Sequence, residues 1–234
     1  EIAILSRVGK PTCFVVTYID ESTDPPTAWL SRTIVQQKAQ DRLLDSLRPG
    51  DVIPARVTHL EPFGAFVDAG CGVPSLIGIE NLSVSRICHP SDRLTVGQSI
   101  LAAVRTVEPE NRRISLTHRE LLGTWAQNAA LFSVGETVRG VVRSIEPYGV
   151  FIELTPNLSG LAEPRADLRP GMAVSVYIKS ILPQRMKVKL TVIDVLAPYD
   201  APTPPRYFIT DGHIDEWVYT PACCDKKIVK TIFG

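Results

Sequence analysis

The 234-residue sequence predicts an all-β protein built from small tandem barrels, and three observations carry that prediction. A segment is duplicated, apolar residues alternate with polar ones in short runs, and glycine or proline separates the runs. Residues 50–68 align without a gap on residues 135–153, and identities fall at Gly50/Gly135, Val57/Val142, Glu61/Glu146, Pro62/Pro147, Gly64/Gly149 and Phe66/Phe151. Self-similarity of this length indicates two copies of one structural unit.

The first copy contains five strand-like runs. Ile53, Ala55 and Val57 alternate with less apolar residues, and this period of two is typical of a half-buried strand. Gly64 stands where the chain must bend sharply into the second run. The third, fourth and fifth runs are expected at residues 76–79, 100–108 and 113–116, with a turn at 109–111. Five strands in about 65 residues predict a five-stranded Greek-key barrel of the OB type.

The second copy repeats this pattern with a shorter loop. After Gly149, runs are expected at residues 158–162, 173–182 and 187–193, with a turn at 183–185. The spacing from Gly64 to Gly97 is 33 residues, whereas that from Gly149 to Gly171 is 22. The first barrel therefore carries a loop that is 11 residues longer than its counterpart.

The segments around the two barrels complete the predicted organisation. Cys13–Asp20 and Trp29–Arg32 resemble the fourth and fifth runs of a third copy, whose earlier strands would lie upstream of Glu1. An incomplete barrel exposes strand edges, so this remnant should borrow a partner or fray. We therefore predict a truncated repeat at 1–32, a helical linker at 33–49, a barrel at 50–117, a helical linker at 118–134, a barrel at 135–196, and a proline-rich spacer with a hairpin at 197–234.

The linkers and the tail carry their own local patterns. Apolar residues at 35, 39, 43 and 47 predict a helix that ends before Pro49-Gly50. A second helix is expected to begin at a capping box that runs from Thr117 to Glu120. In the tail, residues 207–210 and 213–219 are predicted to pair around an Asp211-Gly212 turn and to pack on a neighbouring barrel.

Composition excludes several classes of protein. Lys and Arg number 25 and so do Asp and Glu, which argues against a highly basic nucleic-acid coat protein but not against a local basic face. No apolar run approaches the ~18 residues of a membrane span, and the first residues lack the pattern of a secretory signal. Five cysteines, an odd number, favour the reducing cytoplasm over a disulfide framework.

No motif predicts catalysis, a metal site or a cofactor. The possible soft ligands are Cys88-His89, Cys223-Cys224 and His213, and none has the spacing of a tetrahedral zinc site. A glycine-rich phosphate loop and a repeated acid–base pair are both missing from the sequence. His59, His89 and His118 are interpreted as surface or capping residues. We therefore expect no enzyme activity and no cofactor.

The strongest indication of function is an aromatic pair that recurs in both barrels. Phe63 and Phe66 flank the glycine between the first two strands, and Tyr148 and Phe151 repeat this arrangement. On an OB barrel this junction is a face where bases stack, at ~1–3 kcal/mol per base. Phe66 and Phe151 could instead serve the core, but recurrence of the whole pattern favours binding.

Basic residues near that face are expected to contact phosphates. The candidates are Arg56 and Arg113 in the first barrel and Arg139, Arg143, Lys187 and Lys189 in the second. From these we select Arg56, Arg113, Arg143 and Lys187. Residues 135–194 carry 8 basic and 6 acidic residues, so binding should be salt-sensitive and modest. A merely solvated strand face is the alternative for each residue.

These motifs resemble a known family. The motifs Phe63-Gly-Ala-Phe66, Tyr148-Gly-Val-Phe151 and Arg113-Ile-Ser-Leu116 are similar to those of the ribosomal protein S1 family of RNA-binding domains. The resemblance covers residues 50–194 well and residues 1–49 in part, and some stretches are similar to multi-domain S1-like proteins of Gram-positive bacteria.

The resemblance implies tandem S1-type barrels that bind single-stranded RNA. Family members use the two aromatics, a histidine on the third strand and a basic residue on the fifth strand. Arg113 keeps the basic position, and Lys187 is its counterpart in the second barrel. The chain departs from the pattern at the histidine, where Gly78 and Glu163 stand instead, and the charge of Glu163 would repel phosphate.

Together these observations predict a non-enzymatic, cytoplasmic, bacterial RNA-binding protein without a membrane segment. It would hold single-stranded mRNA, either at the ribosome during translation or on transcripts generally. Two alternatives stay open. The barrels could be a protein-docking scaffold that has lost RNA contact, or they could target RNA for a nuclease domain outside this sequence.

Overall fold

The computed structural model describes residues 9, 12–197, 204–225 and 228–234. Two closed five-stranded barrels make up most of the described chain, joined by short helices, and a small pair of strands follows near the C-terminus. The predicted all-β class of tandem OB-type barrels is therefore confirmed. In the described part, no helix is both long enough and apolar enough to cross a membrane.

An N-terminal hairpin and a helix precede the barrels. Strands β1 (Val15–Asp20) and β2 (Thr27–Ser31) pair antiparallel, and helix α1 (Arg32–Ser46) follows directly. The side chain of Ser31 accepts a hydrogen bond from the amide of Ile34 and so caps the start of α1. The helix begins one residue before the predicted linker of 33–49, because β2 runs straight into it.

The first barrel closes in the order β3-β4-β5-β7-β6. Its strands are β3 (Val52–Glu61), β4 (Gly64–Asp68), β5 (Pro74–Gly78), β6 (Ser99–Glu108) and β7 (Arg113–Thr117). All neighbours are antiparallel except β5 and β7, which pair in parallel. Alternate residues such as Val57, Val67 and Ile77 point inward and are fully buried, as the period of two requires.

The second barrel repeats this topology. A short helix, α2 (Trp125–Ala129), leads into β8 (Thr137–Glu146), β9 (Gly149–Thr155), β10 (Leu158–Ala162), β11 (Ala173–Leu182) and β12 (Lys187–Leu196). The strand order is β10-β12-β11-β8-β9, with β10 and β12 in parallel. Trp125 of α2 is buried in the same apolar cluster as Val142 and Ile152, so the linker is part of this barrel's core.

The N-terminal hairpin shares its register with the last hairpin of each barrel. In β1–β2, Val16 pairs with Leu30, and a bulge precedes the next pair. The same bulge follows Val104–Leu116 in the first barrel and Ile178–Leu190 in the second. The described hairpin thus pairs like the last hairpin of a barrel, and the assignment of residues 1–32 to a truncated third unit stays a prediction. The shared register also explains why Val16 and Leu30, which face a core in a complete barrel, are about half exposed here.

The start of the second helix differs from the prediction. Residues 119–122 form a short 3-10 helix, and Gly123 with a φ of 85° separates it from α2. The capping box that the structure contains is formed by Thr124 and Gln127, not by Thr117 and Glu120. Thr117 instead donates a hydrogen bond to the buried carboxylate of Glu120. The interpretation of His118 as a surface or capping residue is also wrong, because its side chain is buried between Leu82 and Tyr207.

The C-terminal hairpin exists, and its first strand lies within the predicted run 213–219, but that strand has a different partner from the predicted one. Strand β13 (Glu216–Val218) pairs with β14 (Lys230–Ile232), and residues 207–210 form no strand. The reason is that residues 207–210 dock on the junction of the barrels: the amide of Phe208 donates to Leu121 O at 2.8 Å, and Tyr207 accepts from the amide of Leu101. Residues 198–203 of the predicted spacer lie outside the described residues.

Candidate nucleic-acid interface

The aromatic residues singled out in the sequence form one matched pair on each barrel. The rings of Phe63 and Phe66 lie 6.0 Å apart at an interplanar angle of 87°. Those of Tyr148 and Phe151 lie 6.2 Å apart at 89°. Phe63 is 56% exposed and Tyr148 is 66% exposed, so each pair presents one freely accessible ring. This edge-to-face geometry holds both rings in place without removing them from solvent.

A glycine within each pair allows this close packing. A Cβ on Gly64 would lie 2.4 Å from Ile77 O, and one on Gly149 would lie 2.7 Å from Ala162 O. In both barrels the second strand therefore starts in contact with the third, because no side chain intervenes. The repeated glycine is thus a requirement of barrel closure at the point where the aromatic pair sits.

In each barrel, residues that are cross-strand partners form an outward-facing row that includes the second aromatic residue, Phe66 or Phe151. We call it the outer row. In the first barrel this outer row consists of His59, Phe66, Leu76 and Ser115. In the second barrel it consists of Ser144, Phe151, Leu161 and Lys189. Side chains directly opposite each other on one face are close enough to share a ligand. The outer row therefore defines the surface on which a bound chain would lie.

Two members of the outer rows were not selected from the sequence. Lys189 is exposed and lies two strands away from Phe151, on the same face. His59 pairs with Phe66 across β3 and β4, and their ring centroids are 6.5 Å apart. A histidine thus borders the first aromatic pair from the first strand, although the third strand lacks one. Alternation along β12, where Val188 and Leu190 are buried, would have placed Lys189 on this face. The same count along β3 places His59 inward, and only the bulge after Val57 turns it outward.

The remaining selected cations lie on exposed strand positions. Arg56, Arg113 and Lys187 are all exposed to solvent. Arg56 Nε donates to Gly97 O at 3.1 Å, which leaves the rest of its guanidinium available. Arg113 and Lys187 stand two residues before Ser115 and Lys189, at the start of the fifth strand in each barrel.

Arg143 does not fit the prediction that it meets a phosphate. Its Nε lies 2.8 Å from a carboxylate oxygen of Glu153, and its Nη1 lies 3.5 Å from Asp92 Oδ2. Burial acts to lower the pKa of Arg143, but the hydrogen bond and charge of Glu153 outweigh it and raise that pKa. The guanidinium is committed to two carboxylates and is largely shielded, so we remove Arg143 from the candidate set.

The position of the family's third-strand histidine is different in each barrel. A Cβ on Gly78 would lie 2.5 Å from Glu80 Oε1, so the carboxylate of Glu80 occupies the space beside it. At the equivalent position in the second barrel, Glu163 lies 3.2 Å from Lys179 Nζ. An acidic side chain therefore stands near both sites, and the ion pair with Lys179 offsets part of the charge of Glu163.

The long loop of the first barrel reaches across to the second. Within the β5–β6 loop (residues 79–98), Ser85 Oγ lies 2.7 Å from Ser159 Oγ, and the amide of Ser85 donates to Pro156 O. Asn157 completes the contact, since its amide group donates to Arg119 O and Gly123 O at 2.7 Å each. The 11 extra residues thus belong to the interface between the barrels.

Metal binding finds no support in the described part of the chain. No group of three or more His, Cys, Asp or Glu side chains there is arranged to hold a metal ion. The cysteines, all described, are free thiols.

Comparison with known proteins identifies related sequences. The S1 RNA binding domain family matches residues 46–119. Small ribosomal subunit protein bS1 of Staphylococcus aureus strain COL is 32% identical over 179 residues, which are 70% of this chain and 46% of that protein. The bS1 protein of Staphylococcus saprophyticus is 30% identical over 193 residues, which are 74% of this chain and 48% of that protein. The chain thus spans about half the length of these curated relatives.

Matches among solved structures cover smaller parts of the chain. GSP13 from Bacillus subtilis is 27% identical with a TM-score of 0.31, over 36% of this chain and 60% of GSP13. The uncharacterised protein MJ1198 from Methanocaldococcus jannaschii is 27% identical with a TM-score of 0.27, over 31% of this chain and 93% of that chain.

Proposed function

Since this chain belongs to the ribosomal protein S1 family of RNA-binding domains, we propose that it binds single-stranded RNA on the outward faces of its two barrels. The proposed RNA-binding domains are residues 50–117 and 135–196. One observation carries the proposal: an exposed, edge-to-face aromatic pair recurs at the same place in both barrels. Every base has a π-face, so such a pair stacks bases of any sequence.

The proposed mechanism combines stacking with phosphate contacts. Bases stack on the Phe63–Phe66 and Tyr148–Phe151 pairs, each contributing about 1–3 kcal/mol. The cations that meet the phosphates are Arg56 and Arg113 in the first barrel and Lys187 and Lys189 in the second. Because the net charge of the chain is zero, stacking supplies more of the affinity than phosphate contacts do.

We infer a non-enzymatic role in translation for the chain. Its curated relatives carry the name small ribosomal subunit protein bS1, which supports the ribosome as a partner and the cytoplasm as the location. In this role the barrels hold single-stranded mRNA without altering it, and they need no cofactor.

A protein-docking scaffold is the second candidate function. The observation that favours it is the N-terminal hairpin, where Tyr18, Trp29 and Leu30 are all more than half exposed. Exposed apolar side chains on an unpaired two-stranded sheet are typical of a protein-binding surface.

A salt-dependent titration with fluorescent single-stranded RNA of mixed sequence tests the proposed function. The variants are Phe63→Ala/Phe66→Ala and Tyr148→Ala/Phe151→Ala. Phe14→Ala is the matched control, because Phe14 is also an exposed phenylalanine but lies outside both barrels. We expect each double variant to bind at least about fivefold more weakly, from the loss of one stacked base. Unchanged affinity in both double variants, with no dependence on salt, would contradict the proposal and favour the scaffold.

A further inference from the structure

A polar groove of about 520 Å³ lies between α1 and the first barrel. Its lining includes Arg32, Gln36, Gln37, Thr58, Asp68 and Gly72. This volume falls within the range of about 300–1,000 Å³ that small-molecule pockets occupy. The groove is open to solvent on one side, so a flexible chain can enter it without any rearrangement of the barrel.

The helix is held against the barrel at the edges of the groove. Gln36 Nε2 donates to Gly72 O at 2.8 Å, and a Cβ on Gly72 would lie 2.6 Å from Arg32 Nη2. At the other end, Gln40 Nε2 donates to Arg112 O at 2.6 Å. The absence of a side chain at Gly72 therefore sets the width of the groove, and two glutamines fix the helix in place.

The groove is continuous with the first aromatic pair. Thr58, on its wall, donates a hydrogen bond from Oγ1 to Phe66 O at 3.1 Å. Asp68 lies two residues after Phe66 on the same face of β4, also on the wall. Two residues of the groove wall, Thr58 and Asp68, thus lie next to Phe66 on β3 and β4.

The groups that face the groove suit a nucleotide. Arg32 Nε is buried and has no hydrogen-bond partner among the residues that the structure describes. Gln37 is exposed, and its amide supplies both a donor and an acceptor. The carboxylate of Asp68 already accepts hydrogen bonds from the amides of Gly70 and Gly72, at 2.8 Å and 2.9 Å, so its own loop engages it.

We propose that this groove is a nucleotide subsite that extends the aromatic pair of the first barrel. Arg32 contacts a phosphate there, and Gln37 hydrogen-bonds the edge of a base. The inference rests on the proposed function, because it requires RNA on Phe63 and Phe66. The second barrel has no equivalent, since Arg143 and Glu153, which align with Thr58 and Asp68, are ion-paired to each other and to the first barrel.

The dependence of affinity on RNA length distinguishes binding at this subsite from binding at the aromatic pair. We would measure affinity for single-stranded RNA of about four and about eight nucleotides, within the range that one OB fold covers. The variants are Arg32→Leu and Gln37→Ala, and the matched control is Lys38→Ala, an exposed residue of α1 that does not line the groove. Gln37 is exposed and makes no contact that holds the helix, so its replacement keeps the fold.

Each outcome of this experiment decides the inference. We expect both groove variants to weaken binding of the longer RNA by about tenfold, the equivalent of one charge-assisted or bidentate contact, with the shorter RNA unaffected. If both variants match Lys38→Ala while Phe63→Ala/Phe66→Ala weakens binding, the subsite is wrong and the proposed function stands. If none of these variants weakens binding, RNA does not use this face of the first barrel, and the subsite fails together with the part of the proposed function that rests on Phe63 and Phe66.

Discussion

Arg93 of the first barrel and Glu153 of the second form a buried ion pair across the interface between the barrels. The exposed fractions of the two side chains are 6% and 7%. Arg93 Nε also donates to Ser83 Oγ at 3.0 Å, and Arg143 approaches the same carboxylate from within the second barrel. Two guanidinium groups thus share one buried carboxylate. Because a buried charge is costly without its partner, this pair fixes the position of the barrels relative to each other.

Replacing Glu153 should therefore destabilise the protein strongly. Glu153→Gln leaves the buried guanidinium of Arg93 without its ion-pair partner and leaves Arg143 only Asp92, and we expect a loss of about 3–5 kcal/mol in the free energy of unfolding. Arg93→Met should cost less, because Arg143 still pairs with Glu153. Urea denaturation followed by circular dichroism measures both values.

The exposed pair of Arg165 and Asp167 provides the control for this prediction. Their side chains are 37% and 51% exposed, and Asp167→Asn should cost at most about 1 kcal/mol. A similar cost for Asp167→Asn and Glu153→Gln would show that the Arg93–Glu153 pair is hydrated in solution and does not fix the barrels.

Lys189 should contribute to RNA binding although the sequence analysis preferred Lys187. Lys189 lies in the outer row of the second barrel, whereas Lys179 is paired with Glu163. Lys189→Ala should weaken RNA binding and reduce the slope of log affinity against log salt by about 0.7, the value for one phosphate on a single strand. The matched control is Lys38→Ala, which removes an exposed lysine of α1 outside both barrels. Equal slopes for wild type and Lys189→Ala would place the RNA elsewhere on the barrel.

The sequence was sufficient to predict elements with strict local patterns. Strands β10 and β11 have the predicted bounds, because alternation and flanking glycine or proline define them within the segment itself. The aromatic pairs could be predicted because the duplicated segment repeats them at the same positions, although local composition alone does not distinguish them. His118 and Arg143 were misjudged because their environment comes from residues far along the chain. Tyr207 covers His118, and Asp92 reaches Arg143 from the other barrel.

The C-terminal tail shows the same limit of local patterns. Asp211-Gly212 is a typical hairpin turn, but the amide of Val52 donates to Gly212 O, and the amide of Ile214 donates to Gly50 O. These contacts with the first barrel replace the pairing within the tail. Tertiary docking therefore overrides a strong local preference for a hairpin, as it does for Tyr207 and Phe208.

His118 should make stability depend on pH. Burial, opposed in part by the hydrogen bond to Leu82 O, lowers the pKa of His118 from 6.5 to about 4. The nearby charge of Arg93 lowers this pKa further, and that of Glu120 raises it. The unfolded chain therefore binds a proton between pH 6.5 and pH 4 that the folded chain does not. The contribution of the neutral His118 to the free energy of unfolding is fully present above pH 6.5. It falls by about 3 kcal/mol as the pH drops to 4.

A substitution isolates this contribution from those of other groups. In His118→Gln the side chain no longer titrates, so the decline in unfolding free energy between pH 6.5 and pH 4 should be shallower than in wild type. Thermal unfolding across this range measures the difference. Parallel curves for the two proteins would mean that His118 titrates near its ordinary pKa and is hydrated in solution.

The N-terminal hairpin has the same pairing register as the last hairpin of each barrel. This equivalence allows a test of whether another surface buries the N-terminal hairpin in solution. Leu30 and Leu116 occupy the same register position, but Leu30 is 53% exposed and Leu116 is fully buried. Leu116→Ala should therefore cost about 2–5 kcal/mol of unfolding free energy, because it leaves a cavity in a closed barrel. Leu30→Ala should cost no more than about 0.5 kcal/mol, as surface substitutions do. If Leu30→Ala were as costly as Leu116→Ala, another surface would have to bury the hairpin in solution, and the scaffold function would gain experimental support.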